Sequence, residues 1–93
     1  MKYSVEREEE AFITVDGRKL YTLQDFLIWL NTCSEEKFRY HVNERENHFV
    51  NWIRYSLKLE ELAREIENVR DKNRMVDIVS RYIESEKEIL EII

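Results

Sequence analysis

This chain of 93 residues has one glycine and no proline, so few of its backbone positions favour a tight turn or a break in a helix. After Gly17, apolar residues recur at three- and four-residue steps almost to the end of the chain, as in amphipathic helices. A chain of this length has room for a single hydrophobic core. The sequence therefore predicts one mainly α domain.

A hairpin over residues 11–21 is the β element that the sequence predicts. Asp16-Gly17 is a favoured two-residue hairpin turn, and it lies between two short runs of strand-forming residues. A two-residue turn sets a register in which Ile13 lies opposite Leu20. Because a lone hairpin is marginal in water, we expect it to pack on the helices.

About five helices are expected to form a bundle under the hairpin. Three polar residues are placed to cap helix starts: Thr22, Ser34 and Asn47. Residues 1–10 are acidic and predict a flexible arm, residues 11–93 a single domain, and residues 73–93 a long C-terminal helix. The apolar stripes predict the following buried residues: Ile13, Leu20, Leu23, Phe26, Leu27, Leu30, Phe38, Val42, Phe49, Trp52, Ile53, Leu62 and Ile66.

Composition favours a cytoplasmic protein. The single cysteine, Cys33, cannot form an internal disulfide, and the charged N-terminal residues do not resemble a signal peptide. The longest apolar run, residues 26–30, is too short to cross a membrane. The net charge of −5 argues against broad coating of nucleic acid.

Both histidines lie in residues 38–53, the stretch that draws most attention as a candidate site. On one straight helix His41 and His48 would be about 10 Å apart, too far to share a metal ion. A break at residues 43–47 could bring them closer, but no further metal-binding spacing supports a site. We therefore predict no metal and no cofactor.

An enzyme is not predicted either. A small hydrolase centred on His41 is the enzymatic alternative, and it needs Cys33 or Ser34 as a nucleophile beside that base. Ser34 is better explained as a helix cap, and Cys33 as a small buried residue.

Structural roles explain the polar residues of this stretch well. Asparagines at residues 43, 47 and 51 suit helix caps and one hydrogen bond between helices, and His41 suits a helix junction. The residues assigned to this structural motif are Phe38, His41, Asn43, Asn47, Phe49 and Trp52.

The run F-x-x-H-V-N-x-x-x-N-x-F-x-x-W-I, followed by L-x-x-L-A-x-x-I, resembles a family of small, mostly archaeal domains of unknown function. Together with D-G-R-K-L-Y-T-L-Q-D-F-L upstream, the resemblance covers roughly residues 12–70. The family usually has an aspartate after the second asparagine, where this chain has His48. The resemblance implies an archaeal source and a compact fold, and it brings no catalytic residue with it.

The leading functional hypothesis is a non-enzymatic interaction module that forms a homodimer and binds a protein partner. Surplus apolar residues on the last helix predict the dimer interface: Tyr82, Ile83, Ile89, Leu90, Ile92 and Ile93. The alternative is an RNA- or ribosome-associated factor that uses a basic and aromatic face: Arg39, Tyr40, Arg45, His48, Arg54, Tyr55 and Lys58.

Overall fold

A computed structural model of the chain describes the backbone of residues 3–92 and the side chains of residues 3–85. The fold is mainly α with a small antiparallel hairpin, as the sequence predicts. The strands are β1 (Phe12–Ile13) and β2 (Lys19–Leu20). The helices are α1 (Leu23–Thr32), α2 (Glu35–His41), α3 (His48–Asn51), α4 (Glu60–Ile66) and α5 (Lys72–Ile92).

The three predicted caps begin the first three helices. Thr22 and Asp25 form a capping box in which each side chain accepts the backbone N–H of the other residue. Ser34 and Asn47 accept a backbone N–H in the first turns of α2 and α3, respectively. Local chemistry therefore fixes where these helices start.

The hairpin register differs by one residue from the predicted one. Phe12 pairs with Leu20 and Ile13 pairs with Lys19. A slip of one residue exchanges the faces of a strand's side chains relative to its partner. Phe12 therefore packs against the core, while Ile13 points outward and is 62% exposed, so its predicted burial is wrong.

The register follows from the length of the turn, which has three residues rather than two. The Gly17 N–H donates to the Thr14 carbonyl (2.9 Å) and Gly17 has a φ of 80°, a left-handed conformation that glycine adopts without strain. Thr14 in turn faces Arg18, whose carbonyl accepts the Thr14 N–H at 2.9 Å. A β-turn followed by a left-handed glycine is the usual three-residue hairpin loop.

One hydrophobic core joins the hairpin to the helices. It contains the predicted residues except the exposed Ile13 and the half-buried Leu27. Cys33 is also buried, as expected. The core includes further residues that were not among those predicted: Trp29, Val50, Leu57, Ala63, Val69, Met75 and Val79.

A π-helical turn, Trp52–Ser56, continues α3. The Leu57 N–H donates to the Trp52 carbonyl five residues earlier (3.1 Å), and Lys58 then ends the helix with a φ of 61°. The wider turn brings Leu57, rather than Ser56, into the core.

Residues 3–10, which the sequence predicts as part of a flexible acidic arm, form hydrogen bonds with the rest of the domain. Ser4 forms an isolated β-bridge with Thr22, and Glu8–Glu10 form a short 3-10 turn. The indole N–H of Trp52 donates to the Glu10 carbonyl at 2.9 Å. Backbone and indole hydrogen bonds thus hold a segment whose acidic side chains mostly remain in solvent.

The long helix α5 packs on α1 and α4. Met75 and Val79 are buried, while Val76, Ile78, Tyr82 and Ile83 are half-buried. The predicted interface residues Ile89, Leu90 and Ile92 lie where side chains are not described, and Ile93 lies outside the described residues. In residues 3–92, no helix has both the length and the apolar character that a membrane span requires.

Candidate functional site

The chain reverses direction between the two histidines. Val42 and Asn47 form an antiparallel bridge, and the Asn43 N–H donates to the Glu46 carbonyl at 2.8 Å. The Asn43 side chain closes this turn, since its oxygen accepts the backbone N–H groups of Arg45 and Glu46. The break in the helix at residues 43–47 therefore exists, and it brings the two histidine rings together.

His41 lies at the end of α2 and is only 3% exposed. Its Nε2 accepts the backbone N–H of Val15 in the hairpin turn at 2.9 Å. Its Nδ1 lies 3.1 Å from Nδ1 of His48, the first residue of α3. One imidazole thus joins the hairpin, α2 and α3.

These contacts fix the position of each proton on the two rings. Because a backbone N–H can only donate, Nε2 of His41 must be unprotonated, and neutral His41 carries its proton on Nδ1. That proton is donated to Nδ1 of His48, whose own proton then lies on Nε2 and is donated to the Glu46 carboxylate at 2.9 Å. We call this directional chain from Val15 to Glu46 the histidine relay.

The surroundings of His41 favour its neutral form. Burial lowers the pKa of His41, and the neighbouring His48 lowers it further, while the Asp16 carboxylate acts in the opposite direction. The aromatic side chains around His41 supply the burial, with ring centroids 5.1–5.5 Å from its own: Phe12, Trp29, Tyr40, His48 and Phe49. A protonated His41 would lose its acceptor atom for the Val15 N–H.

A second polar cluster centres on Asp16 in the hairpin turn. Its carboxylate accepts hydrogen bonds from the Thr14 hydroxyl and, at 3.1 Å, from the Trp29 indole N–H, and it lies 3.6 Å from the Lys37 ammonium. The Thr14 hydroxyl is the main cause of the lowered pKa of Asp16, with smaller contributions from Trp29 and Lys37. Sequence reasoning assigned Asp16 only to the turn. The signal that it missed is the buried Trp29, whose N–H needs an acceptor.

Asn47 of the structural motif connects two helices as well as capping one. The amide of Asn47 caps α3 through its oxygen and donates from Nδ2 to the Ile66 carbonyl at the end of α4 (3.1 Å). The Asn43 amide donates to the Arg39 carbonyl in α2 at 3.1 Å. Asn47 thus makes both a helix cap and a hydrogen bond between helices, whereas Asn43 holds the turn after α2.

The relay is poorly suited to bind a metal ion. A histidine bound to a metal through Nδ1 normally keeps a proton on Nε2 and donates it, whereas Nε2 of His41 faces a donor. In the described part of the chain, no group of three or more His, Cys, Asp or Glu side chains is arranged to hold a metal ion.

The groups required for a hydrolase have other partners. The Ser34 hydroxyl caps α2 by accepting the Lys37 N–H, and the Cys33 thiol lies 3.6 Å from the Leu30 carbonyl. Burial raises the pKa of the Cys33 thiol, which disfavours the reactive thiolate. Both ring nitrogens of His41 belong to the relay.

The predicted basic and aromatic face is divided between two regions. Tyr40 contacts both rings of the relay, and Arg39 and Arg45 are exposed on the same α2–α3 segment. Arg54 instead bonds to the carboxylate of Glu60 in α4. Tyr55 is 68% exposed and lies near the end of the same π-helical turn.

The bases of this face are largely paired with acids of the same chain. Arg39 lies 3.6 Å from Glu35, Arg54 bonds to Glu60, and Lys58 lies 2.8 Å from Glu6. Arg45 is exposed beside the relay, and no ion pair of its side chain is found among residues 3–85. The charge that this face offers to a phosphate backbone is therefore reduced.

Comparison with protein family models, characterised proteins and solved structures finds no match for this chain. The resemblance of residues 12–70 to small archaeal domains remains a prediction.

Proposed function

We propose that the protein is a non-enzymatic interaction module that forms a homodimer and binds a protein partner. The observation that carries this proposal is the incomplete burial of apolar residues along α5: Val76, Ile78, Tyr82 and Ile83. Among the residues of this helix whose side chains are described, 72–85, Met75 and Val79 are fully buried in the chain's own core, and the four apolar residues above pack only partly against it. A second copy would cover the remaining apolar surface across a two-fold axis.

Sedimentation equilibrium of the full chain at tens of micromolar tests the homodimer. We expect a dimer, and we expect deletion of residues 89–93 to give a monomer with its helical circular dichroism kept. A full chain that sediments as a monomer at this concentration would contradict the proposal.

An exposed apolar surface beside the relay supports a protein partner. Ile13, at the end of β1, is 62% exposed, and Val15, in the hairpin turn, is 43% exposed. Tyr40 is 59% exposed and contacts the ring of His41, which accepts the Val15 N–H. Large exposed apolar side chains that lie near each other are typical of surfaces that bind proteins, and Ile13, Val15 and Tyr40 are candidates for such a surface.

Comparative pull-downs from native lysate test the partner. The wild-type chain and an Ile13→Ser/Tyr40→Ser variant are used as tagged baits, with and without nuclease. We expect the wild-type bait to capture proteins whose binding persists after nuclease treatment, and we expect the variant bait not to capture them. Gln24→Ser, an exposed change in α1, is the matched control.

The alternative of an RNA- or ribosome-associated factor has less support, because a carboxylate lies beside each of Arg39, Arg54 and Lys58 and offsets its positive charge toward a phosphate backbone. Capture that is abolished by nuclease and falls steeply with salt would favour this alternative, since contacts to phosphates release counterions.

A further inference from the structure

A groove of about 490 Å³ runs between α4 and α5, and neither the histidine relay nor the exposed residues Ile13, Val15 and Tyr40 line it. Residues 67–71 connect the two helices, so the chain turns back and the helices lie side by side. The half-buried side chains of Ile78 and Tyr82 line it. Tyr82 is supported by Tyr3, whose ring centroid is 5.5 Å away.

The two walls of this groove carry opposite charges. Glu61 and Glu65 lie on the α4 wall, and Arg74 and Arg81 lie on the α5 wall. In residues 3–85, no ion pair crosses the groove. Arg81 has an exposed contact with Asp77 (3.2 Å, side chains 77% and 51% exposed), and such pairs hold a side chain only weakly.

We propose that this groove is the contact between two copies of the chain, with each copy's α4 wall facing the partner's α5 wall. The inference rests on the proposed homodimer and specifies its geometry. A two-fold axis parallel to the groove sets the Glu61 and Glu65 wall of one copy over the Arg74 and Arg81 wall of the other. An axis perpendicular to the groove would bring like charges together, so the charge pattern selects the first arrangement.

The apolar residues that line the groove, Ile78 and Tyr82, and the length of α5 also suit a second copy of the chain. Ile78 and Tyr82 would meet their counterparts near the axis, where burial of apolar surface stabilises an interface most. The helix backbone continues past the groove through residues 86–92, about 10 Å further, so the contact can extend along it. A strip with an apolar centre and charged margins of both signs is complementary to itself.

Charge reversal of each wall, with the full chain otherwise intact, tests the proposal. One variant carries Glu61→Arg and Glu65→Arg, and the other carries Arg74→Glu and Arg81→Glu. We expect each variant alone to raise the dimer dissociation constant by about tenfold or more, because like charges then face each other. Mixed in equal amounts, the two variants should form a heterodimer of near wild-type affinity, because both contacts are again between opposite charges.

Sedimentation equilibrium measures the affinities, native mass spectrometry identifies the heterodimer, and circular dichroism checks the fold. Glu8→Arg/Glu9→Arg, on the N-terminal turn, is the control with the same charge change as the α4 variant. Dimers that persist in both variants, or variants that weaken without recovery on mixing, overturn the groove contact while leaving a homodimer through another surface. A wild-type chain that is monomeric overturns the homodimer itself.

Discussion

Replacing His41 with phenylalanine separates the hydrogen bonds of the relay from the packing of the ring. The variant keeps an aromatic ring among Phe12, Trp29 and Phe49, whose centroids lie 5.1–5.5 Å from that of His41. It removes the acceptor of the Val15 N–H. This bond is part-buried, and a fully buried N–H without a partner costs about 1–3 kcal/mol, so we expect the free energy of unfolding at neutral pH to fall by about 1 kcal/mol.

The same variant should also change how stability depends on pH. Burial lowers the pKa of His41 from its ordinary 6.5, so the unfolded chain takes up this proton at a higher pH than the folded chain. The stabilisation from neutral His41 is therefore complete above pH 6.5 and is lost as the pH falls through and below that value, by at most about 1.4 kcal/mol per pH unit. Because His41→Phe has no imidazole at this position, its free energy of unfolding should fall less than that of the wild type as the pH decreases.

The charged and titratable groups facing His41 are His48, Glu46 beyond it, and Asp16 with its partner Lys37. The pKa of Asp16 is lowered from 3.8, so its carboxylate loses its stabilising contacts in a more acidic range. Between neutral pH and about pH 5, the difference in pH dependence between the wild type and His41→Phe therefore reports mainly on His41.

Urea unfolding followed by circular dichroism, at a fixed protein concentration, measures both effects. His48→Ala is the control, because His48 is half-exposed and water can accept the His41 Nδ1–H in its place. We expect His48→Ala to cost under about 1 kcal/mol. Wild-type stability in His41→Phe, or an unchanged acid sensitivity, would refute the structural role of the relay.

Three further changes test other parts of the fold. Asn47→Ala should lower the free energy of unfolding, measured in urea, by about 1.5–3 kcal/mol, because it removes both the α3 cap and the bond to the end of α4. Asn51→Ala, an exposed change in the same helix, should change it by less than about 0.5 kcal/mol. Lys58→Gly should raise the free energy of unfolding by up to about 1 kcal/mol, since only glycine adopts a φ of 61° without strain, and the exposed contact with Glu6 that it loses is weak. Lys58→Ala loses the same contact and should not raise the free energy of unfolding. A glycine variant less stable than the wild type would contradict this reasoning. Cys33 should react with a thiol reagent only on unfolding, and rapid labelling of the native chain, followed by absorbance, would show that its burial is wrong.

Local chemistry was enough to predict much of the fold. The caps at Thr22, Ser34 and Asn47 depend on side chains bonding to backbone a few residues away, and that proximity is visible in the sequence. The hairpin register was missed because Asp16-Gly17 suits both a two-residue turn and the three-residue loop that forms. Tertiary contacts, such as the packing of Phe12 on the core, are compatible with only one of them.

The candidate site was predicted only in outline. The sequence indicated that His41 suits a helix junction and that a break could bring the histidines closer. Its main partner, the Val15 N–H, is 26 residues away, and no local spacing reveals such a pair. The direction of the relay depends on that contact, since the Val15 N–H determines which nitrogen of His41 carries the proton.

The attachment of the N-terminal segment has a consequence for synthesis on the ribosome. The Glu10 carbonyl is made first, but the indole that binds it belongs to Trp52, 42 residues later. At translation rates of about 5–20 residues per second, this delay is about 2–8 s. During that time the segment lacks the hydrogen bond from the Trp52 indole and is held by its backbone hydrogen bonds to residues 21–23.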